Sequence, residues 1–426
     1  MRHRHLAAFL DEKPLYYKEI DHKRVHTAYA VLKPHIKRPR TIHIVGTNGK
    51  GSTGRMIAYL AWRQGVRSEE VGSRSEHKVT IQNSSTRYPL PATRLSVGHY
   101  TSPHILKFNE RIWVDGADVS DEVLEEAHQR LYAILGQKMS EALSYFEYTT
   151  LLAFVVFERC DLMVLEAGLG GEFDATNVCN KELSVITPIG IDHQAFLGER
   201  IEEIAATKIR SIRQKALLAP QPYPEVVEVA KKIANDVGAT LVVARPAPQD
   251  REGTHEGHPY KLQELAEKKG WPDYLIDNAA VAIQALELLD IPYDIDDLYD
   301  LELFGRFYPI RENIRIDVGH NPLAAQAIVK AMERDTVLIY NSLDDKDYEA
   351  VLRILKPKLK RVEIIPIESQ RATTLDAIEN ALDRVGLPYR IFERTIDQEE
   401  HYLVFGSFYT VEAFLKMGAF RKVNDE

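Results

Sequence analysis

The sequence predicts an α/β protein: a mostly parallel sheet flanked by helices and carrying a phosphate-binding loop (P-loop), followed by a smaller, Rossmann-like α/β domain. Three observations carry this. A β-branched run, Thr41–Val45, feeds a glycine-rich loop that ends in Lys50 and Ser52. From there to Leu289, short apolar runs alternate with helical patterns, the signature of parallel strands joined by helices. After an acidic, proline-containing stretch at residues 290–297, the same alternation resumes on a smaller scale. At 426 residues the chain exceeds what one core usually fills, so domains are expected at 1–298 and 299–426.

Taken in order, strands are expected at Thr41–Val45, Val97–Tyr100, Leu162–Glu166, Leu183–Thr187, Ala216–Ala219 and Thr240–Val243. Between them, Thr53–Gln64 places Met56, Ile57, Leu60 and Ala61 on one helical side. Asp121–Leu135, Thr149–Arg159, Ile201–Ile212 and Glu225–Val237 also read as helices, and Asn278–Leu289 closes the first domain. In the second domain, strands are expected at Ile314–Asp317, Val337–Tyr340, Val362–Pro366 and Tyr402–Phe405. One stretch, 68–96, is far longer than the usual connection of about 2–6 residues and is rich in Ser, Arg, Glu and Thr. It reads as a polar surface insertion with no part in chemistry.

Composition excludes some classes. The 54 basic and 63 acidic residues give a net charge of −9, which argues against a nucleic-acid or membrane-surface binder. Two cysteines, Cys160 and Cys179, cannot build a disulfide framework and lack zinc-finger spacing. With neither a signal peptide nor a run near the ~18 apolar residues of a membrane span, a cytoplasmic location is expected.

The chemistry concentrates at expected strand ends. In Gly46-Thr47-Asn48-Gly49-Lys50-Gly51-Ser52-Thr53 the glycines let backbone N–H groups turn toward an anion, and the helix that follows points its positive end there. Lys50 would neutralise terminal phosphates and the Ser52 hydroxyl would reach Mg²⁺. Glu166 ends a buried strand beside Gly168-Leu169-Gly170-Gly171, where a carboxylate can hold Mg²⁺; the plainer alternative is a helix cap or a solvated side chain. His193 follows the next strand and has a nitrogen for a second metal; a lone histidine is more often structural, but its place on the same expected edge as Lys50 and Glu166 favours the metal. Lys208 sits on an apolar-patterned helix. Further on, Arg306 could reach phosphates as an arginine finger does, and Asp317 could accept from ribose hydroxyls. The Asn321-Pro322 pair alone would merely start a helix.

Taken together, the motifs resemble the ATP-dependent Mur ligase superfamily and, within it, the folylpolyglutamate synthase/dihydrofolate synthase family. The matching pieces are the loop at 43–53, Tyr100-Thr-Ser-Pro-His104 with Asn109-Glu-Arg-Ile112, Glu166-Ala-Gly-Leu-Gly-Gly171 with Asp174-Ala-Thr-Asn-Val178, and Asp192-His193 with Lys208. They continue through Gly305-Arg306, Asp317-Val-Gly-His-Asn-Pro322, Asp345-Lys-Asp347 and Phe405-Gly-Ser407. The resemblance implies a Mur ligase central-type domain that binds ATP and a C-terminal domain that closes over the nucleotide. It also implies the reaction: ATP phosphorylates a carboxylate of dihydropteroate or a reduced folate, and the amine of L-glutamate attacks the acyl phosphate.

Residue roles follow from the same resemblance. Ser52 and Glu166 would bind one Mg²⁺, and Glu166 with His193 a second. Lys208 matches the lysine that is carbamylated in this family, and the family suggests a monovalent cation such as K⁺. Asn278 matches an adenine contact, Arg306 a phosphate contact, Asp317 the ribose-binding aspartate, and His320 a nucleotide-proximal histidine. Ser102, Pro103 and His104, with Phe146, Asp174 and Asn177, fall on the folate side. Small-molecule substrates and a monomer are expected.

The chain also departs from the family pattern. Ile209-Arg210 follows Lys208 in place of Ala-Gly, Glu172 replaces a common arginine, Phe304 a proline and Val318 a glycine, and Asn341-Ser342-Leu343 a glycine-containing turn. These bear on substrate preference more than on ATP chemistry. The alternatives are a ligase with only one of the two folate activities, another Mur-type amino-acid ligase, or a nucleotide-gated regulator without ligation.

Overall fold

A computed structural model describes residues 4–14, 21–73, 95–247 and 258–418. The chain divides into two compact units. One comprises the chain up to Ile189 with Leu197–Leu265 and Asp277–Leu301; the other comprises Gly190–Phe196, Ala266–Ile276 and the chain from Glu302. The division is not contiguous in sequence: the short segment holding Asp192 and His193 groups with the second unit.

The first unit is built on a sheet of β1 (Arg40–Val45), β2 (Val97–Tyr100), β3 (Ile112–Val114), β4 (Ala117–Asp118), β5 (Leu162–Glu166), β6 (Leu183–Ile186), β7 (Lys215–Leu218) and β8 (Thr240–Val243). Their spatial order is β4-β3-β2-β5-β1-β6-β7-β8. All pairings are parallel except β2 with β3 and β3 with β4. β1 lies between β5 and β6, and every residue of β5 and β6 is buried, as expected of strands covered on both faces. The register sets Ile44 beside Glu166 and Val45 beside Ile186, so the three strands end together. Backbone bonds tie those ends, from Ala167 N to Ile44 O at 2.9 Å and from Thr187 N to Val45 O at 2.8 Å.

Local signals set where the helices begin. The helix after β1 runs Lys50–Ser73, earlier and longer than its apolar pattern alone indicates, with Met56, Ile57, Leu60 and Ala61 buried. It takes up residues 68–73 of the expected insertion. At the other end Ser96 is pinned, its N–H to Asp161 and its hydroxyl to Asp115, and residues 74–94 of that segment lie outside the described residues. The helix expected from Thr149 starts at Tyr145, because Ser144 and Glu147 form a reciprocal cap: Glu147 N donates to Ser144 Oγ at 3.1 Å and Ser144 N to Glu147 Oε2 at 2.7 Å. That start puts Phe146 in the first turn. One core cluster joins Phe9, Tyr29 and Leu32 of the N-terminal helices to Tyr100, Tyr148 and Phe157.

The second unit has its own sheet, with β9 (Tyr308–Arg311), β10 (Ile314–Ile316), β11 (Thr336–Tyr340), β12 (Leu359–Ile364), β13 (Tyr389–Ile391) and β14 (Tyr402–Phe405) in the order β13-β12-β11-β14-β10-β9. It is parallel apart from the edge pair β9 and β10. Its core packs Leu338, Tyr340, Val351, Leu352, Leu403 and Phe405. β3, β4, β9 and β13 escaped the sequence reading; they are edge or near-edge strands of two to four residues, too short for a clear period. Among the described residues no helix is long and apolar enough to cross a membrane.

Candidate active site

The loop after β1 is shaped by what flanks it. Gly46 has φ +148°, and a Cβ there would lie 2.0 Å from Thr187 Oγ1, so no side chain fits between β1 and the end of β6. The N–H groups of Thr47 and Asn48 donate to Pro188 O at 2.9 and 3.2 Å, which fastens the first half of the loop to the neighbouring strand's exit. The helix then starts at Lys50, so Lys50, Gly51 and Ser52 are first-turn residues, whose N–H groups a helix leaves without intrahelical partners. A helix start of this kind suits an anion.

Lys50 and Glu166 meet at the mouth of the loop. Lys50 Nζ donates to Thr47 O at 3.2 Å and to Gly46 O at 3.4 Å, and stands 3.9 Å from Glu166 Oε1. Glu166, buried at the tip of β5, takes hydrogen bonds from the Thr101 hydroxyl and from Ser102 N at 3.3 Å. Ser52 Oγ donates to Gly49 O at 3.2 Å and accepts from Asn278 Nδ2 at 2.8 Å. The implied adenine contact is thus, in this structure, a buried brace of the loop. Lys208 is buried as well, and its Nζ donates to Gly46 O at 3.0 Å.

Among the described residues no three His, Cys, Asp or Glu side chains gather into a metal cage. A divalent ion at the loop would therefore draw on the Ser52 hydroxyl, the Glu166 carboxylate and phosphate oxygens. That donor set suits Mg²⁺, which binds through one or two carboxylates plus phosphate and keeps several waters.

On the expected folate side, Phe146 lies against the glycine turn after β5, where a Cβ on Gly168 would be 2.6 Å from its ring, and its centroid is 5.9 Å from that of Tyr100. His104 Nδ1 accepts from Arg111 Nε at 2.8 Å, and the Arg111 guanidinium lies 5.2 Å from the Tyr145 ring centroid. Ser102 and Pro103 join this turn to Glu166 through the Ser102 N–H. Asp174 and Asn177 are buried, and their polar atoms bond to neighbouring parts of the chain. Asp174 accepts from Leu169 N at 3.0 Å, Thr176 N at 2.9 Å and the Thr176 hydroxyl at 2.5 Å, while Asn177 Nδ2 donates to Glu172 O at 2.8 Å. Burial pushes the Asp174 carboxyl above its ordinary value, and those hydrogen bonds oppose the shift.

Two departures from the family pattern are partners. Arg210 Nη1 lies 3.3 Å from Glu172 Oε2, so the reversed charge at 172 meets a new cation at 210. The pair is half-exposed and contributes little to stability.

The second unit gathers its own motif residues around Asp192. Its carboxylate accepts from Lys346 Nζ at 2.6 Å, Asn321 Nδ2 at 3.1 Å and His193 N at 2.9 Å, with His320 Nε2 at 3.7 Å. Burial acts to raise the Asp192 carboxyl, but the neighbouring His320, His193 and Lys346 outweigh it and hold the group well below the usual range. His193 Nε2 faces the Lys346 ammonium at 3.3 Å. Glu166 belongs to the first unit and His193 to the second, so neither unit by itself contains both. Asp317 accepts from Tyr274 Oη at 2.7 Å, Phe307 N at 2.8 Å and Gly319 N at 2.7 Å. Arg306 donates to Gly305 O at 3.1 Å and its guanidinium lies 5.5 Å from the Phe408 ring centroid.

Several contributors had no reading of their own in the sequence. Thr101 sits inside the quoted Tyr100–His104 motif, so its position was visible and its bond to Glu166 was not. Pro188 and Tyr274 act over distances that no local pattern encodes.

No family model matches the chain. The dihydrofolate synthase/folylpolyglutamate synthase of Haemophilus influenzae is 27% identical over 427 residues, covering 88% of each chain. The crystal structure of Helicobacter pylori folylpolyglutamate synthetase is similar at 35% identity and a TM-score of 0.71, covering 98% of both chains. A bifunctional folylpolyglutamate synthase/dihydrofolate synthase solved with Mn, AMPPNP and L-glutamate bound is 25% identical with a TM-score of 0.76, again over 98% of both chains.

Proposed function

This chain belongs to the folylpolyglutamate synthase family, and from that premise we propose that it is an ATP-dependent ligase adding L-glutamate to dihydropteroate and to the γ-carboxylate of reduced folates. The observation that carries the reading is Lys50 held at 3.9 Å from Glu166 at the mouth of an anion cradle. An amine does not displace oxygen from a carboxylate, so the carboxylate must first gain a leaving group. A substrate carboxylate oxygen attacks the γ-phosphorus of ATP, the bond to the bridging oxygen breaks and ADP departs. The glutamate amine then attacks the acyl carbon, loses a proton and expels inorganic phosphate.

Lys50 and the first-turn N–H groups would stabilise the charge that builds on the transferring phosphoryl group. Mg²⁺, held by Ser52 and Glu166, would supply further neutralisation of phosphate oxygens. Asn278 keeps the Ser52 hydroxyl oriented. The proposal extends to a second ion with His193 among its ligands, to a carbamate on Lys208 and to a monovalent cation such as K⁺. Supporting the carbamate is the position of Lys208 Nζ, buried beside Gly46 O, where an oxygen-rich anion would stand next to the loop. Arg306, Asp317 and His320 are proposed nucleotide contacts, and Phe146, Asp174 and Asn177 with the Ser102–His104 turn the pterin side.

The test is ADP release with dihydropteroate, tetrahydrofolate and a UDP-muramyl substrate, each with and without L-glutamate. Glutamate-dependent release is expected with both pterins; release with the muramyl nucleotide alone would refute the folate reading.

A further inference from the structure

Beneath the folate-side loop runs a buried chain of hydrogen bonds that the reaction itself does not use. Lys181 Nζ, buried, has three acceptors: His43 Nδ1 at 3.0 Å, Ser211 O at 3.0 Å and Asn177 Oδ1. They match the three donors of an ammonium. On the far side of the imidazole, His43 Nε2 lies 2.8 Å from Thr176 Oγ1, and that hydroxyl bonds Asp174 Oδ1.

Proton counting fixes the direction. Thr176 has one hydroxyl proton and gives it to the Asp174 carboxylate, so its oxygen must accept from His43, which therefore carries its proton on Nε2. Nδ1 is then a lone pair, and Lys181 donates to it. Burial, reinforced by the charge of Lys181, lowers His43 well below its ordinary value, which keeps the ring neutral as this arrangement requires. With Lys181 protonated, an ammonium and a carboxylate are joined end to end through a neutral imidazole and a hydroxyl; as a neutral amine Lys181 can still donate to Nδ1. Lys181 also settles the Asn177 amide: with Oδ1 turned to the ammonium, Nδ2 faces Glu172 O.

We propose that Lys181 and His43 are positioning residues for the folate-side loop, fixing through Thr176 and Asn177 the pose in which residues 172–177 meet the pterin. This rests on the folate-ligase reading. Neither residue touches the cradle residues Lys50 and Ser52 by a hydrogen bond, so the effect should fall on one substrate and not the other.

The experiment is steady-state kinetics of Lys181→Met at fixed pH, with saturating glutamate. The KM for dihydropteroate and tetrahydrofolate should rise about tenfold while the KM for ATP and kcat stay within about threefold. Thr176→Val cuts the same chain at another link with little change of volume, and should move the same KM in the same direction. Thr176→Ser, which keeps the hydroxyl, should restore it; this arm also stands if Lys181→Met does not fold. A wild-type protein that releases no ADP with folates and glutamate overturns the ligase reading. An active wild type whose variants leave the folate KM unchanged, or raise the KM for ATP equally, overturns this inference alone.

Discussion

Lys50 Nζ stands 3.9 Å from Glu166 Oε1 while donating to Thr47 O at 3.2 Å. The loop thus holds its own cation folded back beside the carboxylate at the tip of the next strand, ready to turn to phosphate. Lys50→Ala should lower glutamate-dependent ADP release by about 10²- to 10³-fold, since one preorganised charge is lost from the transition state. The melting temperature should change little, because Lys50 holds only two long backbone hydrogen bonds and stands 3.9 Å from Glu166. Near-normal turnover would remove the cradle from the mechanism.

Gly46 adjoins Thr187 too closely for any side chain. Gly46→Ala should cost about 2–3 kcal/mol through strain and overpacking, visible as a lower urea midpoint, and should weaken binding of a non-hydrolysable ATP analogue. Unchanged stability and binding would show that the loop tolerates another path.

Lys208 is the test of the carbamate. Lys208→Ala should reduce activity about 10- to 100-fold, and added acetate should recover part of it by supplying the missing oxygens. A fully active variant would rule the carbamate out.

In the second unit, Lys346 and Asp192 form a buried ion pair at 2.6 Å. Lys346→Met leaves that buried carboxylate without its closest cation and should cost about 3 kcal/mol. The double variant Lys346→Met/Asp192→Asn should recover much of the loss, because no uncompensated charge remains. Equilibrium denaturation of both variants decides; equal stability of the two would contradict the coupling.

Lys181 gives a dependence on pH. Burial, the largest effect, lowers it from 10.5 to about 7. Between those values the unfolded chain holds a proton that the folded chain has released, so stability rises with pH across that window. Below pH 7 the folded protein carries the whole burden of the buried ammonium. Lys181→Met removes the effect, so wild type should gain on the variant from pH 7 toward 10, by an amount on the order of a few kcal/mol. Parallel melting curves for the two proteins across that range would show Lys181 to be unshifted.

The sequence by itself determined the architecture and the cradle. Residues 41–53 are contiguous, and a strand that delivers a glycine turn into a helix is written locally in β-branched and glycine residues, as are the buried strand ending in Glu166 and the order of elements that makes the sheet parallel. What only tertiary structure decided is which polar atoms answer one another across the chain. Asn278 reaches Ser52 over 226 residues, Lys346 reaches Asp192 over 154 and Lys181 reaches His43 over 138. Such pairs follow from strand register and helix packing, which bring distant side chains within about 3 Å, and a local pattern carries no record of that distance. For the same reason Glu172 and Arg210, each an oddity when read alone, become intelligible once the fold sets them side by side.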